Sequence, residues 1–292
     1  MFAQETPDGI DVTEMERPIT IRHLLMHTAG LTYAWPDVFA HPVARMYVDA
    51  QTGRRDETLA EKVRRLAALP LVHQPGAGWT YGHAKELLGR LIELISGRGL
   101  DSFLQQKIFE PLEMSDTGFH VPSDRYERLA RVYVTDERGG LKYEEGVNSD
   151  LSAPPTFQSP GGGLVSTAED YARFCQMLLN GGSLGSERLL GRKTVEMMTI
   201  NHTGATRPFA PFPNFPVRDG NGFGLGVRVL VDAGLADMPG SVGEYGWAGA
   251  QSTYFWIDPR EQLFGVLMIQ LEPFNLRYGW LFQSLAYQAL VA

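Results

Sequence analysis

The feature that most constrains this chain is a change of period. In its first third, and again from Ser166 to about Leu179, its apolar side chains recur at helical spacing. From Phe223 onward they fall into four strand-like runs, Phe223 to Val231, Ser241 to Trp247, Ser252 to Asp258 and Leu263 to Gln270, divided by short turns such as Asp258-Pro259. Consecutive strands joined this tightly predict an antiparallel meander. Arg277 to Val291 returns to helical spacing and supplies an amphipathic helix suited to cover one sheet face. Helices, then an antiparallel sheet, then a covering helix define an α+β architecture.

The earlier helices announce their own ends. Thr20 to His27 carries Ile21, Leu24 and Leu25 and is expected to stop at Ala29-Gly30. Thr58 to Leu69 ends before Pro70. Ala84 to Ser96 places Leu87, Leu88, Leu91, Ile92 and Ile95 on one apolar face and is capped by Gly97, and Leu100 to Glu110 closes at Pro111. Residues 111 to 165 are rich in turns, and Gly161-Gly162-Gly163 marks a backbone that must bend or approach something closely. Ser166 to Glu169 has the form of a capping box opening a helix that stops at Asn180-Gly181.

Composition excludes several function classes. Over 292 residues, 43% apolar and 21% charged content describes a globular protein of one large domain or two entwined ones. A net charge of −8 argues against nucleic-acid binding, which needs a basic surface. No run approaches 18 apolar residues, so no membrane span is expected. Met1 to Asp11 lacks a signal pattern, which points to a cytoplasmic protein. The single cysteine, Cys175, excludes an intrachain disulfide and a zinc-cysteine cluster, and its place beside Phe174 and Leu178 predicts a buried thiol.

Six segments, in order, carry a family resemblance: Pro18 to Leu31, Gln74 to Tyr81, Ile108 to Met114, Gly161 to Tyr171, Tyr245 to Ala250 and Thr253 to Pro259. Together they resemble the class C β-lactamase-like serine hydrolases, including the family VIII esterases, over nearly the whole chain. The resemblance implies the β-lactamase/transpeptidase-like α+β fold. Residues 1–30 would pack on the α/β lobe, 31–165 would form the mainly helical lobe, and 166–292 would form the α/β lobe with its sheet and C-terminal helix.

It also implies acyl transfer without metal or organic cofactor. A Ser-x-x-Lys serine attacks a carbonyl, Lys and Tyr manage its proton, and backbone amides hold the oxyanion. Tyr81 matches the tyrosine. Gly82-His83 replaces the usual Ser-Asn, so His83 would substitute for an asparagine that positions substrate. Trp247-Ala248-Gly249 matches the third element in its esterase-like form, with Trp247 and Gly249 on the pocket edge and the amide of Ala250 as an oxyanion donor. Without a lysine at 247, a small ester is the expected substrate ahead of a β-lactam.

The first element is missing from the sequence. The first serine is Ser96, and no serine has a lysine three residues on. Loss of a hydrolase nucleophile costs on the order of 10⁶ in turnover. The chain as written is therefore expected to be inactive, either as a truncated product or as a non-catalytic binding or scaffold protein that keeps the cleft. The scaffold reading adds self-association through uncovered surface. The recognisable state of the other motifs favours truncation.

Other candidates have plainer readings. Gly181-Gly-Ser183-Leu-Gly185 fits a nucleophile elbow, which requires a strand before the serine, yet a helix precedes it. His23 and His27 have metal-binding spacing but no identifiable third ligand, and a structural pair is expected. His202-Thr203-Gly204 mimics Lys-Thr-Gly out of order. Among the aromatics Tyr33, Trp35, Tyr245, Trp247, Trp256 and Phe274, the loop residues Tyr33 and Trp35 are the better acyl-pocket candidates, and Trp256 reads as core.

Overall fold

The computed structural model describes residues 1–6, 9–34, 41–136, 139–143, 149–204, 208 and 215–291. It begins with a hairpin, β1 (Phe2–Thr6) and β2 (Gly9–Thr13). The first helix, α1, covers Ile21–Leu25; the Thr20 hydroxyl accepts from the His23 amide, and the His23 ring accepts from the Thr20 amide. It stops before the predicted Ala29-Gly30, because His27 takes a φ of +56° and turns the chain. Helix α2 (Pro42–Asp49) starts with Pro42 in the first turn, where its missing N–H costs nothing, and buries Val43, Ala44 and Tyr47. Helix α3 (Leu59–Ala67) opens on a Thr58/Glu61 capping box.

Helix α4 (Ala84–Ser96) has the predicted bounds, with Gly97 in the left-handed conformation that glycine adopts without a Cβ clash. Its expected apolar face is only partly correct. The buried positions are Ala84, Glu86 and Gly89, whereas Ile95 is 79% exposed. Close approach decides the matter: a Cβ at Gly89 would stand 2.6 Å from Pro160 Cγ, so the small residues face inward. Helix α5 (Leu100–Leu104) runs into a wider turn over Gln105–Phe109.

The turn-rich region contains two three-residue strands that sequence periodicity did not show, β3 (Tyr133–Thr135) and β4 (Leu141–Tyr143). Helix α6 (Ala168–Leu179) is capped one residue later than predicted. Thr167, not Ser166, accepts from the Asp170 amide, because the Ser166 hydroxyl is engaged by Thr117 at 2.8 Å. A tiny hairpin, β5 (Ser183–Leu184) and β6 (Glu187–Arg188), leads to α7 (Arg192–Met198).

The predicted meander is present. Strands β7 (Asn221–Phe223), β8 (Arg228–Leu230), β9 (Tyr245–Ala248), β10 (Tyr254–Asp258) and β11 (Leu263–Leu267) pair antiparallel in sequence order. The run Phe223 to Val231 is a hairpin rather than one strand, since Gly224 and Gly226 break it. Then β12 (Leu271–Glu272) pairs parallel with β3, and α8 (Arg277–Gln288) ends the chain.

Strand alternation sorts the sheet's two faces. Tyr254 and Trp256 of β10 pack with Leu276 and with Trp280 and Tyr287 of α8. Phe255 and Ile257 face the other way, onto Cys175, Met177 and Leu178 of α6. Trp247 pairs with Phe255 and so shares this second face, which fixes the direction in which β9 presents its indole. Behind the sheet, buried Arg228 donates to Glu244 (2.8 Å) and Tyr254 (2.5 Å), and Gln283 donates to Glu244 (2.7 Å). Among the described residues no helix is long and apolar enough to cross a membrane.

Candidate active site

The site is assembled where two loops meet the end of β9, the middle strand of the sheet. Thr80 N–H donates to His27 O (2.9 Å), Gly76 N–H to Thr28 O (2.7 Å) and Val72 N–H to Gly30 O (2.8 Å). These bonds zip the segment before Tyr81 onto the chain leaving α1. Gly82 then seats its Cα directly on the backbone of Leu31 and Thr32. Tyr81 is thereby held between Tyr33 from the first loop and Trp247 from β9.

The rings interlock. Tyr81 lies 4.9 Å from His27, 5.2 Å from Tyr33, 5.3 Å from Phe215 and 5.5 Å from Trp247, centroid to centroid, and stacks on Trp79 at 6.3 Å and 11°. Edge-to-face contacts dominate, the arrangement that ring quadrupoles favour. Trp79, Phe215, Val217 and Phe223 are buried beneath, with Tyr81 and Trp247 part-buried above them.

Four influences act on the Tyr81 phenol. Burial raises its pKa, a hydrogen bond from the Trp247 indole lowers it, the charge of Glu86 raises it, and a hydrogen bond from Tyr33 lowers it; the net shift is upward. Tyr81 therefore carries its proton at neutral pH, with its oxygen accepting from two neutral donors. Tyr33 is pushed well up, chiefly by burial and then by Glu86. Buried His27 is held neutral, chiefly by desolvation and further by nearby Lys85.

The sequence-predicted residues separate into three groups. Tyr81, Tyr33 and Trp247 come together as hydrogen-bonded neighbours. Gly249 and Ala250 lie in the turn from β9 to β10. There Gly249 N–H is used by Thr253 O (2.9 Å), its Cα abuts the Thr253 hydroxyl, and Ala250 is exposed. His83 adjoins the group but is enclosed: it is 6% exposed, edge-on to Tyr33 at 4.5 Å and stacked near Tyr47 at 6.2 Å. Offered to substrate in place of an asparagine, its ring is covered by those two tyrosines. Trp35 lies outside the described residues.

Glu86 is the residue that sequence reasoning missed. It is 3% exposed on α4, its carboxylate stands 3.7 Å from the His83 ring, and a Cβ at Gly161 would meet Glu86 Oε1 at 3.0 Å and the Tyr33 hydroxyl at 3.3 Å. The glycine triplet thus permits the close approach it advertised. Nothing in a polar residue next to an apolar stripe distinguishes Glu86 from a solvated one. The signal that existed was Gly161 to Gly163.

The remaining candidates are placed elsewhere. Lys62, the one lysine before Tyr81 in the sequence, is structural: its ammonium donates to Thr52 O (2.6 Å) and Arg54 O (2.7 Å) and pairs with Glu57 at 3.0 Å. Ser183 sits in the β5–β6 hairpin directly after α6, without a preceding strand. His23 caps α1 while His27 joins the aromatic cluster, so the two do not act as a pair. His202 bonds Arg22 (2.7 Å) and Met197 O (2.6 Å) outside any strand. Trp256 and Phe274 pack on the α8 side, and Tyr245 is core. Cys175 is fully buried, and burial pushes its thiol up to about 12.

The beta-lactamase family profile matches residues 11–288. The chain belongs to the beta-lactamase family. Among curated relatives of this beta-lactamase family member, an uncharacterised protein of Mycobacterium tuberculosis is 35% identical over 257 residues, covering 87% of this chain and 63% of that protein. Monacolin J acid methylbutanoyltransferase of Aspergillus terreus is 30% identical over 282 residues, covering 90% and 64%. Esterase EstB of Burkholderia gladioli is 27% identical, covering 82% and 62%. The chain thus spans less than two thirds of these relatives' length. Unliganded simvastatin synthase from Aspergillus terreus superposes with a TM-score of 0.77 at 26% identity, over 98% of this chain and 73% of that one. EstCE1, a hydrolase with promiscuous acyltransferase activity, gives 0.75 at 26% identity, over 96% and 74%. The β-lactamase/transpeptidase-like fold expected from the motifs is therefore the fold of this chain.

Proposed function

We propose that this chain carries the acid/base and oxyanion half of an acyl-transfer site for small carboxylic esters. The observation that carries the reading is the position of the Tyr81 oxygen, held by the Trp247 indole and the Tyr33 hydroxyl at one end of an aromatic wall. In this reading, with the serine and lysine supplied by a longer form, the serine proton would go to the lysine amine, and the protonated Tyr81 phenol would give its own proton to the departing alkoxide oxygen of the ester. The two donors stabilise negative charge on the phenol oxygen as it develops, and the Ala250 amide would hold the carbonyl oxygen at the β9–β10 turn. Tyr33, Trp247 and Gly249 would contact the acyl group. The indole at 247 supplies no cation for a lactam carboxylate, which supports esters as the substrate class. Esterases and acyltransferases among the relatives support the same class.

No Ser-x-x-Lys occurs in the sequence, so the chain alone is expected to bind esters without turning them over. Intact mass after incubation with a fluorophosphonate probe tests this: an unshifted mass is expected, and one stoichiometric adduct overturns it. A cleft retained purely for binding is the second reading, favoured by that same missing motif. In a longer form that carries the serine and lysine, Tyr81→Phe lowers ester hydrolysis at least tenfold if Tyr81 acts as proposed, since general acid–base groups contribute about 10²–10⁴-fold. Full activity in that variant would refute the role.

A further inference from the structure

The two edges of the five-stranded sheet are finished differently. At the β7 edge the segment after α7 closes the strand: His202 N–H donates to Phe223 O (2.8 Å), and the Asn201 side chain accepts from the Phe223 amide (3.2 Å). The opposite edge is β11. Among the described residues, the backbone from Leu263 to Met268 makes no hydrogen bond outside the β10–β11 pair. Alternate residues of β11 therefore turn an N–H and a C=O outward. The run Leu263 to Ile269 also holds no charge and no proline, the usual devices that keep an edge from pairing.

Helix α8 lies beside this edge and carries one charged residue, Arg277. Gly279 and Gln283 are buried against the sheet, yet the opposite face is apolar as well. Tyr278, Leu281, Phe282 and Leu285, at i, i+3, i+4 and i+7, are 38–54% exposed. A helix that is apolar all round belongs in a buried setting. The two features adjoin. Trp256 lies over Gly265 of β11, and Phe282 stands edge-on to Trp256 at 5.3 Å, which seats the stripe next to the open edge.

We propose that a second copy of this chain docks here, with β11 pairing antiparallel to β11 of the other copy about a two-fold axis and the α8 stripes meeting beside it. Self-complementarity argues for this occupant. A partner must offer an unpaired strand edge and an apolar stripe at the same offset, and one two-fold rotation supplies both from this chain. Closure consumes the open edge, so assembly stops at two. Size sets the strength. At about 150–250 Å² for a whole large side chain, the half-exposed stripe offers about 400 Å² per copy. Two stripes thus give about 800 Å², against about 1,200–2,000 Å² for a specific interface. The strand edges, each about 17 Å long, supply the remainder. The total lies at the low end, so reversible association in the micromolar range is expected. Each copy carries a net charge of −8, so repulsion opposes the contact and salt strengthens it.

Sedimentation velocity of the 292-residue chain from about 1 to 300 µM tests this, with amide hydrogen exchange at both ends of that range. The expected result is a monomer–dimer equilibrium that tightens as salt is raised, with β11 amides gaining protection at high concentration. Leu281→Lys combined with Leu285→Lys, at sites more than half exposed, should leave the melting temperature unchanged and weaken the dimer at least tenfold. A monomer at the highest concentration overturns the proposal. So does a dimer that ignores the double substitution, weakens with salt, or leaves the β11 amides exchanging as fast as in the monomer. If the variant unfolds, the exchange pattern of the parent chain decides alone. Ester turnover is not measured, so the outcome is independent of the esterase reading.

Discussion

Replacing Gly82 by alanine tests how the site is held together. A Cβ at this position would stand 2.4 Å from Leu31 O, 2.6 Å from Thr32 Cα and 2.7 Å from Leu31 C. All three are backbone atoms, so no side chain can rotate away. Ordinary contact needs about 3.5 Å, and the two segments must therefore part by roughly 1 Å. That separation pulls Tyr81 from Tyr33 and loosens a ring contact now at 5.2 Å. Overpacking of this kind costs about 1–3 kcal/mol. At about 2–4 °C per kcal/mol for a chain of this size, the melting temperature should fall by roughly 2–12 °C. Calorimetry gives the melting temperature, and near-ultraviolet circular dichroism reports the aromatic cluster, whose signal should weaken. Gly53→Ala is the control, because Gly53 is exposed and a Cβ there meets nothing within 4 Å. A Gly82→Ala protein that melts within about 1 °C of the parent with an unchanged aromatic spectrum would refute the packing argument.

Three further outcomes are expected. Trp247→Phe keeps the ring but removes the indole donor, so the Tyr81 phenol should ionise at higher pH than in the parent, measured by ultraviolet difference titration; an unchanged titration would show that the bond does not act on Tyr81. Glu57→Gln leaves Lys62 without its carboxylate and should cost about 3–5 kcal/mol in denaturant unfolding, since one buried charge loses its partner. For the parent, burial works against the Glu57 carboxylate, but hydrogen bonds from Arg65 and Lys62 more than offset it and the net pKa is lowered. This contribution is present above the unfolded value of about 4.3 and is lost as pH falls through the folded one, so acid titration of stability should steepen below pH 4 only in the parent. Cys175 should resist Ellman's reagent in the folded chain and react stoichiometrically in denaturant; rapid reaction without denaturant would contradict its full burial and raised pKa.

The sheet and its covering helix were legible in the sequence because strand alternation and helix period are local patterns, repeated over several residues. The same holds for α3 and α4, whose Thr58/Glu61 box and Gly97 cap are chemical signals within a few residues of the elements they end. Elements with too few residues to show a period were not legible: β3, β4 and the β1–β2 hairpin exist through pairing, not through their own composition. The capping residue of α6 shifted by one for a related reason, since Ser166 found a distant partner in Thr117.

By itself, then, the sequence determined the α+β class, the ordered motifs that place the chain in its family, and the identity of Tyr81 and Trp247 as the pair to watch. It also determined that no serine in the chain has a lysine three residues on. Only the tertiary structure decided which neighbours those two acquire. Glu86 turned inward because Gly161 lets the backbone close over it, and His83 was sealed between Tyr33 and Tyr47. The edge of β11 was left open among the described residues, while Asn201 and His202 closed that of β7. These outcomes depend on contacts between residues far apart in the chain. Burial and charge at such contacts are set by three-dimensional packing, which no local period encodes.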